Sequence, residues 1–460
     1  MLKRYIGDRQ FYKMVMAVAV PIMIQNFISN FVGMLDNIMV GQVGTAQMSG
    51  VSIVNRILFV FYLCVFGAVA GAGIFTAQYS GSGNDEGVRY TFRYKFYAGF
   101  LLTALGCLVF TVFAQPLIML FLQGEGTPEE AAEYLACGRE YMAVMLLGLL
   151  PFAISSVYSS TLRECGETVV PMVAGVSAVV VNLALNWVLI FGNLGAPELG
   201  IRGAAAATVI SRFVELGIVA VWTHTHESRM PFARGLYSSL RIPGKLGPRI
   251  LKKGAPLLVN EALWSLGTTM LIMCYSLRSL EVVGAVNIAD TVTGTMSVAL
   301  LAMGSAVGII IGRMLGARRP EEETLDATRK LAFFSVSLTL VFSLLQTALA
   351  GVFPLLYNTS DSIRRLAGTL MIVYAVVMPA RAFTNVSYFT LRSGGQTVVT
   401  FLFDSCFVWA VSVPTAFVLA RFTGIPIVPL VAVTEGTEFL KCILGYIMLK
   451  QRRWMKTIID

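Results

Sequence analysis

Pro21-Ile22-Met23-Ile24-Gln25-Asn26 recurs as Pro256-Leu257-Leu258-Val259-Asn260-Glu261, an offset of 235 residues. The same offset lays Gly81-Ser82-Gly83-Asn84-Asp85-Glu86 over Gly316-Ala317-Arg318-Arg319-Pro320-Glu321. Further on, Leu162-Arg163-Glu164-Cys165-Gly166-Glu167-Thr168-Val169-Val170 returns as Leu391-Arg392-Ser393-Gly394-Gly395-Gln396-Thr397-Val398-Val399, at an offset of 229. Three matches in one order, differing by a six-residue deletion, make the chain a duplicated half. Long apolar stretches fill both halves. Internally duplicated membrane proteins are most often transporters, with the substrate path between the repeats.

Composition agrees. Of 460 residues, 56% are hydrophobic and 13% charged, about half the charge of a soluble globular protein. A bilayer span needs about 20 apolar residues. Twelve stretches qualify: 14–38, 50–76, 96–121, 141–161, 169–192, 203–223, 254–277, 283–311, 331–353, 369–390, 398–420 and 426–448. Six spans per half keep the halves in one orientation, related by an axis along the membrane normal. The expected fold is all-α, a polytopic membrane protein with twelve transmembrane helices as two pseudo-symmetric six-helix lobes. The lobes are residues 1–223 and 253–460, joined by a basic connection at 224–252.

Charge sets the topology. Lys3, Arg4, Arg9 and Lys13 precede the first span, and Arg89, Arg93 and Lys95 follow the second. The central connection holds Arg229, Arg234, Arg241, Lys245, Arg249, Lys252 and Lys253, and the tail holds Lys450, Arg452, Arg453 and Lys456. All fall on one side, here termed the basic end. The third-to-fourth loop on the other side is acidic, with Glu125, Glu129, Glu130 and Glu133. The positive-inside rule then places both termini in the cytoplasm of a multi-pass inner-membrane protein. The net charge of +9 is explained by topology and anionic lipid, without a nucleic-acid partner.

Several chemistries lack their residues. The first apolar segment is too long for a signal-peptide core and ends in Asp36-Asn37, not in a cleavage site. The seven cysteines are scattered, with no Cys-x-x-Cys, and read as small apolar fillers. His224 and His226, the two histidines, sit at the basic end and read as a solvated pair. No phosphate-binding loop is present, since Gly244-Lys245 is followed by Leu246. A membrane-embedded enzyme would need a His or Cys beside a carboxylate, or an acidic metal motif on a loop. Neither occurs, and no cofactor is expected.

Charges and amides inside spans are costly in lipid, so each is a candidate for function. Asn26, Ser29, Gly33 and Asp36 form one polar stripe on the first helix. The plainer alternative for Asp36 is a helix-end carboxylate among headgroups. Glu261, with Ser265 and Thr268, makes a matching stripe in the seventh span, or else bonds a neighbouring helix. Asn182 and Asn186 lie one turn apart in the fifth span. Amide oxygens beside a carboxylate suit Na⁺, or equally hold a protonatable aspartate; helix-to-helix hydrogen bonding is the bland reading. Thr208 in the sixth span offers one more oxygen, or merely packs. Asp290 and Asp404 stay open. Aligning Phe213 with Phe439 sets Arg212 opposite Glu438 and Glu215 opposite Lys441, which reads as paired or interfacial structure.

Together these motifs resemble the multidrug and toxic compound extrusion (MATE) family, bacterial type. The carrying residues are Met34-Leu35-Asp36-Asn37-Ile38-Met39-Val40-Gly41, Asn182-Leu183-Ala184-Leu185-Asn186-Trp187, Gly195-Ala196-Pro197-Glu198-Leu199-Gly200, Asn260-Glu261 and the duplicated Leu-Arg-x-x-Gly-x-Thr. The resemblance runs over nearly the whole chain. It implies two lobes around a cleft that alternates between sides, exporting bulky organic cations as Na⁺ or H⁺ enters. It also implies an amino-lobe cation site at Asp36, Asn182, Asn186 and Thr208, and a seventh-span acid at Glu261. Some sodium-coupled relatives carry another acid in the tenth span. Here that stretch reads Met378-Pro379-Ala380-Arg381-Ala382-Phe383-Thr384-Asn385, without one.

The expectation is therefore a secondary antiporter without covalent chemistry, acting as a monomer on small organic cations among membrane lipids. Twenty-one methionines and 29 phenylalanines suit an adaptable apolar cleft. A lipid-linked oligosaccharide flippase is the alternative, but it would line its cleft with several cations, and Arg381 is the clearest one in mid-span. Arg381 lies 11 residues before Arg392, roughly 16 Å deep, and Glu261 enters from the same side to roughly 12 Å. The two are expected to pair. With Asn26, Asn385 and Asp290 they make up the remaining polar candidates of the cleft and second half.

Overall fold

The computed structural model describes residues 5–122, 127–239, 241–357 and 359–459. Lys3, Arg4 and Glu125, used in the charge reading, lie outside the described residues. Among the described residues, all regular structure is helical. The first half comprises α1 (Arg9–Gly41), α2 (Thr45–Gly81), α3 (Asp85–Val112) with the short α4 (Ala114–Leu122), α5 (Pro128–Glu164), α6 (Val169–Phe191) and α7 (Gly200–Thr225). The second comprises α8 (Leu246–Ser276), α9 (Leu280–Met296), α10 (Val298–Gly316), α11 (Glu321–Leu349), α12 (Asp361–Ser393), α13 (Thr397–Phe422) and α14 (Ile427–Lys450).

Eleven of these helices are long and apolar enough to cross a membrane. The twelfth span is α14, whose 24 residues suffice in length but include Glu435, Glu438 and Lys441. Those charges find partners inside the protein, as described below, so hydropathy alone undervalues this helix. The fold is the all-α, twelve-span membrane architecture read from the sequence, six spans to each half.

Local chemistry explains where helices start. Asn84 caps α3 by accepting from the Gly87 amide at 2.8 Å, with Asp85 and Glu86 in the first turn favouring the positive end of the helix dipole. Thr127 and Glu130 form a reciprocal capping box on α5. Thus the fourth span starts well before residue 141, because a polar, well-capped turn extends the helix beyond its apolar part. Two expected spans are interrupted. The eighth, read as one helix over 283–311, breaks at Ser297, whose ψ of -10° flattens the turn between α9 and α10. The third breaks at Phe113, between α3 and α4. α13 is continuous but widens to π turns at Leu402–Cys406 and Val408–Ser412.

Two compact units divide the chain. One holds 24–76 and 84–251; the other holds 5–23, Ala77–Gly83 and 252–459. In the first, α5 and α6 pack on α7, and α3 packs on α5. In the second, α12 is central, with α9, α10, α11 and α14 around it. Val15, Val18, Ala19 and Ile22 of α1 join Met303, Val307, Ile311 and Leu331 in the core of that second unit.

Candidate functional site: two polar networks

In the first half, close approach of α6 and α7 builds the site. A Cβ at Gly203 would overlap the Leu189 carbonyl, so only glycine lets these backbones touch. That contact brings Thr208 of α7 beside Asn182 of α6, whose Nδ2 donates to Thr208 Oγ1 at 3.2 Å. One turn on, Asn186 is fully buried. Its Nδ2 donates to Asn182 Oδ1 at 3.3 Å and to Asp36 Oδ1 of α1. Thr208 Oγ1 completes the chain by donating to Ala204 O at 3.1 Å. The carboxylate of Asp36 is thus held by an uncharged amide. Asn186 Oδ1 is buried without a hydrogen-bond partner.

Aromatic residues adjoin this network. Tyr141 is buried, and its hydroxyl donates to Asn55 Oδ1 at 3.4 Å. Tyr62 packs on Phe152 with centroids 4.5 Å apart. The Arg212 guanidinium lies 5.1 Å over Phe152 and pairs with Glu215 at 3.1 Å.

In the second half, Asn260 of α8 is buried and anchors another network. Its Nδ2 donates to Asp404 Oδ2 at 3.1 Å and to the Tyr388 hydroxyl at 3.4 Å. Ser405 Oγ donates to Asn260 O and Oδ1, each at 2.7 Å, and the Ser405 amide reaches Oδ1 at 3.3 Å. The first π turn of α13 carries both Asp404 and Ser405. Lys441 of α14 then meets Asp404 at 2.7 Å and Glu438 at 3.5 Å. Nearby, Arg381 pairs with Glu435, and Thr384 Oγ1 donates to Glu438 Oε2 at 3.4 Å. Here the charges are matched by opposite charges.

A family model, MatE, matches residues 21–188 and 256–418, opening on Pro21 and Pro256 at the head of each repeat. The chain belongs to the MatE family. As a MatE transporter it is similar to the probable multidrug resistance protein NorM of Thermotoga maritima, with 27% identity over 423 residues, spanning 89% of this chain and 86% of that protein. It is also similar to multidrug resistance protein MdtK of Pectobacterium atrosepticum, with 24% identity over 415 residues, spanning 88% and 86%. Its fold resembles the Vibrio cholerae MATE transporter VcmN in the bent form, with a TM-score of 0.82 at 20% identity over 97% of this chain and 99% of that one.

The structure of this MatE chain joins Asp36, Asn182, Asn186 and Thr208 in one hydrogen-bonded chain. It leaves Asn26 apart, ten residues earlier on α1, about 15 Å along the helix. Arg381 does not pair with Glu261. Its partner is Glu435, because depth in the membrane says nothing of which helix face is met, and α12 presents Arg381 to α14. Asp290 is exposed on α9. Asn385 Oδ1 is buried and unpartnered; a Cβ at Gly304 of α10 would overlap it. Sequence reasoning passed over Asn55, Tyr62 and Tyr141. The i, i+7 spacing of Asn55 and Tyr62, which puts both on one helix face, was a signal.

Proposed function

We propose that this chain is a secondary antiporter that exports structurally varied organic cations from the cytoplasm, where both termini lie, in exchange for H⁺ or Na⁺. The names of the similar multidrug resistance proteins support the substrate class. The observation that carries the coupling role is the bond from neutral Asn186 to Asp36. An acid inside a span without a matching cation is costly as an anion. Taking up a proton or Na⁺ removes that charge, so the ion's occupancy weights one conformation over another. Drug and ion must favour different conformations, or neither drives the other.

Either ion has an oxygen to use. A protonated Asp36 donates to Asn186 Oδ1, the buried acceptor without a partner, once that amide turns. Na⁺ takes the same oxygen with Asp36, Asn182 Oδ1 and Thr208 Oγ1. No covalent step is involved. The test is transport of a fluorescent organic cation in proteoliposomes under separately imposed Na⁺ and pH gradients. Efflux driven by one gradient supports the reading; movement that ignores both, or of lipid-linked anions instead, overturns it.

A further inference from the structure

After α14 the chain leaves regular structure, yet residues 451–459 are anchored by buried Trp454 and Ile459 and by several hydrogen bonds. Trp454 is fully buried, against a cluster that includes Leu315, Leu331 and Leu391, and its Nε1 donates to Leu449 O at 3.1 Å. Two glycines at the end of α12 make the room. A Cβ at Gly394 would overlap the Trp454 carbonyl, and one at Gly395 would come 2.8 Å from Ile458. Thr457 Oγ1 donates to Leu315 O at 2.9 Å, and Gln396 donates to Arg453 O.

The segment also grips α2. Gln78 is fully buried. Its Nε2 donates to Lys456 O at 3.1 Å and to Ser393 O at 2.9 Å, while its Oε1 accepts from the Ile458 amide at 2.8 Å. Gln78 stands where α2 crosses α10 with backbones in contact. A Cβ at Gly81 would overlap the Arg313 backbone, one at Gly316 would overlap the Gln78 backbone, and one at Gly312 would meet Ala77 Cβ at 2.9 Å. Gly81 and Gly316 are the equivalent glycines of the repeat, so the two equivalent helices meet at their matching ends.

We propose that residues 451–459 form a latch on this crossing, and that Gln78 is the gating residue through which the latch keeps the basic end shut. The inference rests on the alternating-access reading, which requires that end to open. Withdrawing α2 while the segment stays in place strips partners from a buried amide, a buried carbonyl and a backbone N–H, at about 1–3 kcal/mol for each group left unsatisfied. The crossing therefore opens only as the segment releases Gln78.

The test uses the full chain, freed of its natural cysteines and carrying Ala77→Cys, a position buried at the crossing. A water-soluble maleimide is applied from the basic side of reconstituted protein. Gln78→Met keeps the volume but removes the hydrogen bonds, and is expected to speed labelling by about tenfold or more. Deletion of residues 451–460 should do the same, and combining the two should add little to either. Gln78→Met supplies the answer should the shortened chain fail to fold. An unchanged labelling rate in folded Gln78→Met overturns the latch, as do two effects that multiply. Because labelling needs no substrate, faster labelling without gradient-driven transport sinks the antiporter reading and leaves the latch standing.

Discussion

Gln25 and Asn260 occupy equivalent places in the two halves, and what they meet differs. Gln25 donates nothing to an acid; it lies against Gly175 and accepts from Arg163 Nη2 at 3.2 Å. In the second half the place of Gly175 is taken by Asp404, which Asn260 bonds and Lys441 neutralises. Lys441 itself stands where the first half has Glu215. The reversal continues at Phe152 and Arg212, a ring under a cation, whose equivalents Arg381 and Glu438 are a cation and an acid. Both i, i+3 ion pairs survive, Arg212 with Glu215 and Glu438 with Lys441, but with opposite polarity. Meanwhile the equivalent of Asp36 is Leu271, and those of Asn182 and Asn186 are Val411 and Thr415. The duplicated halves have diverged: the first holds Asp36 by a neutral amide, while the second ties Asp404, Glu435 and Glu438 to cations. An acid held by amides changes charge without breaking an ion pair. That is the property the proposed coupling role draws on.

The largest expected effect follows at once. Asp36→Asn should reduce gradient-driven transport to background while folded yield and thermal stability stay near those of the parent, read by liposome efflux beside a melting curve. Next comes Lys441→Met, which leaves Asp404 and Glu438 without their buried cation. It should cost about 3–5 kcal/mol of stability, and Asp404→Asn in the same chain should restore part of that loss. Strict additivity in thermal unfolding would contradict the pairing. Arg381 is about one-third exposed at the side chain, so Arg381→Met should cost less, about 1.5–3 kcal/mol. A double-mutant cycle with Glu435→Gln should show coupling, and one with Glu261→Gln should not. The smallest effect belongs to Thr208→Val, which removes the bond from Asn182 and a local helix bond to Ala204 O at the far end of the first network. A loss of about 1 kcal/mol or less should appear as a few-fold shift in ion dependence, with transport retained.

The spans were legible because hydropathy and charge asymmetry are carried by many residues at once. Asp36 was legible from the polar stripe of its helix, and Asn182 with Asn186 from their one-turn spacing; only the resemblance to the MATE family joined them to each other and to Thr208. Ser297 was not, since a break between two apolar helices changes no hydropathy. Nor was Glu435 as the partner of Arg381: side-chain depth follows from counting residues, but the facing helix follows only from packing. Asp404 meets Asn260 from within a π turn of α13, and no sequence period announces one extra residue in a turn.

The central claim, that the charge change resides on Asp36 and not on the acids of the second half, is tested most directly by ion release. Purified protein in weakly buffered detergent solution is titrated with an organic cation while released H⁺ or Na⁺ is recorded. The account predicts that drug binding displaces the coupling ion from the parent, from Glu261→Gln and from Asp290→Asn, but not from Asp36→Asn. Release that persists in Asp36→Asn, or that vanishes in Glu261→Gln, would contradict it.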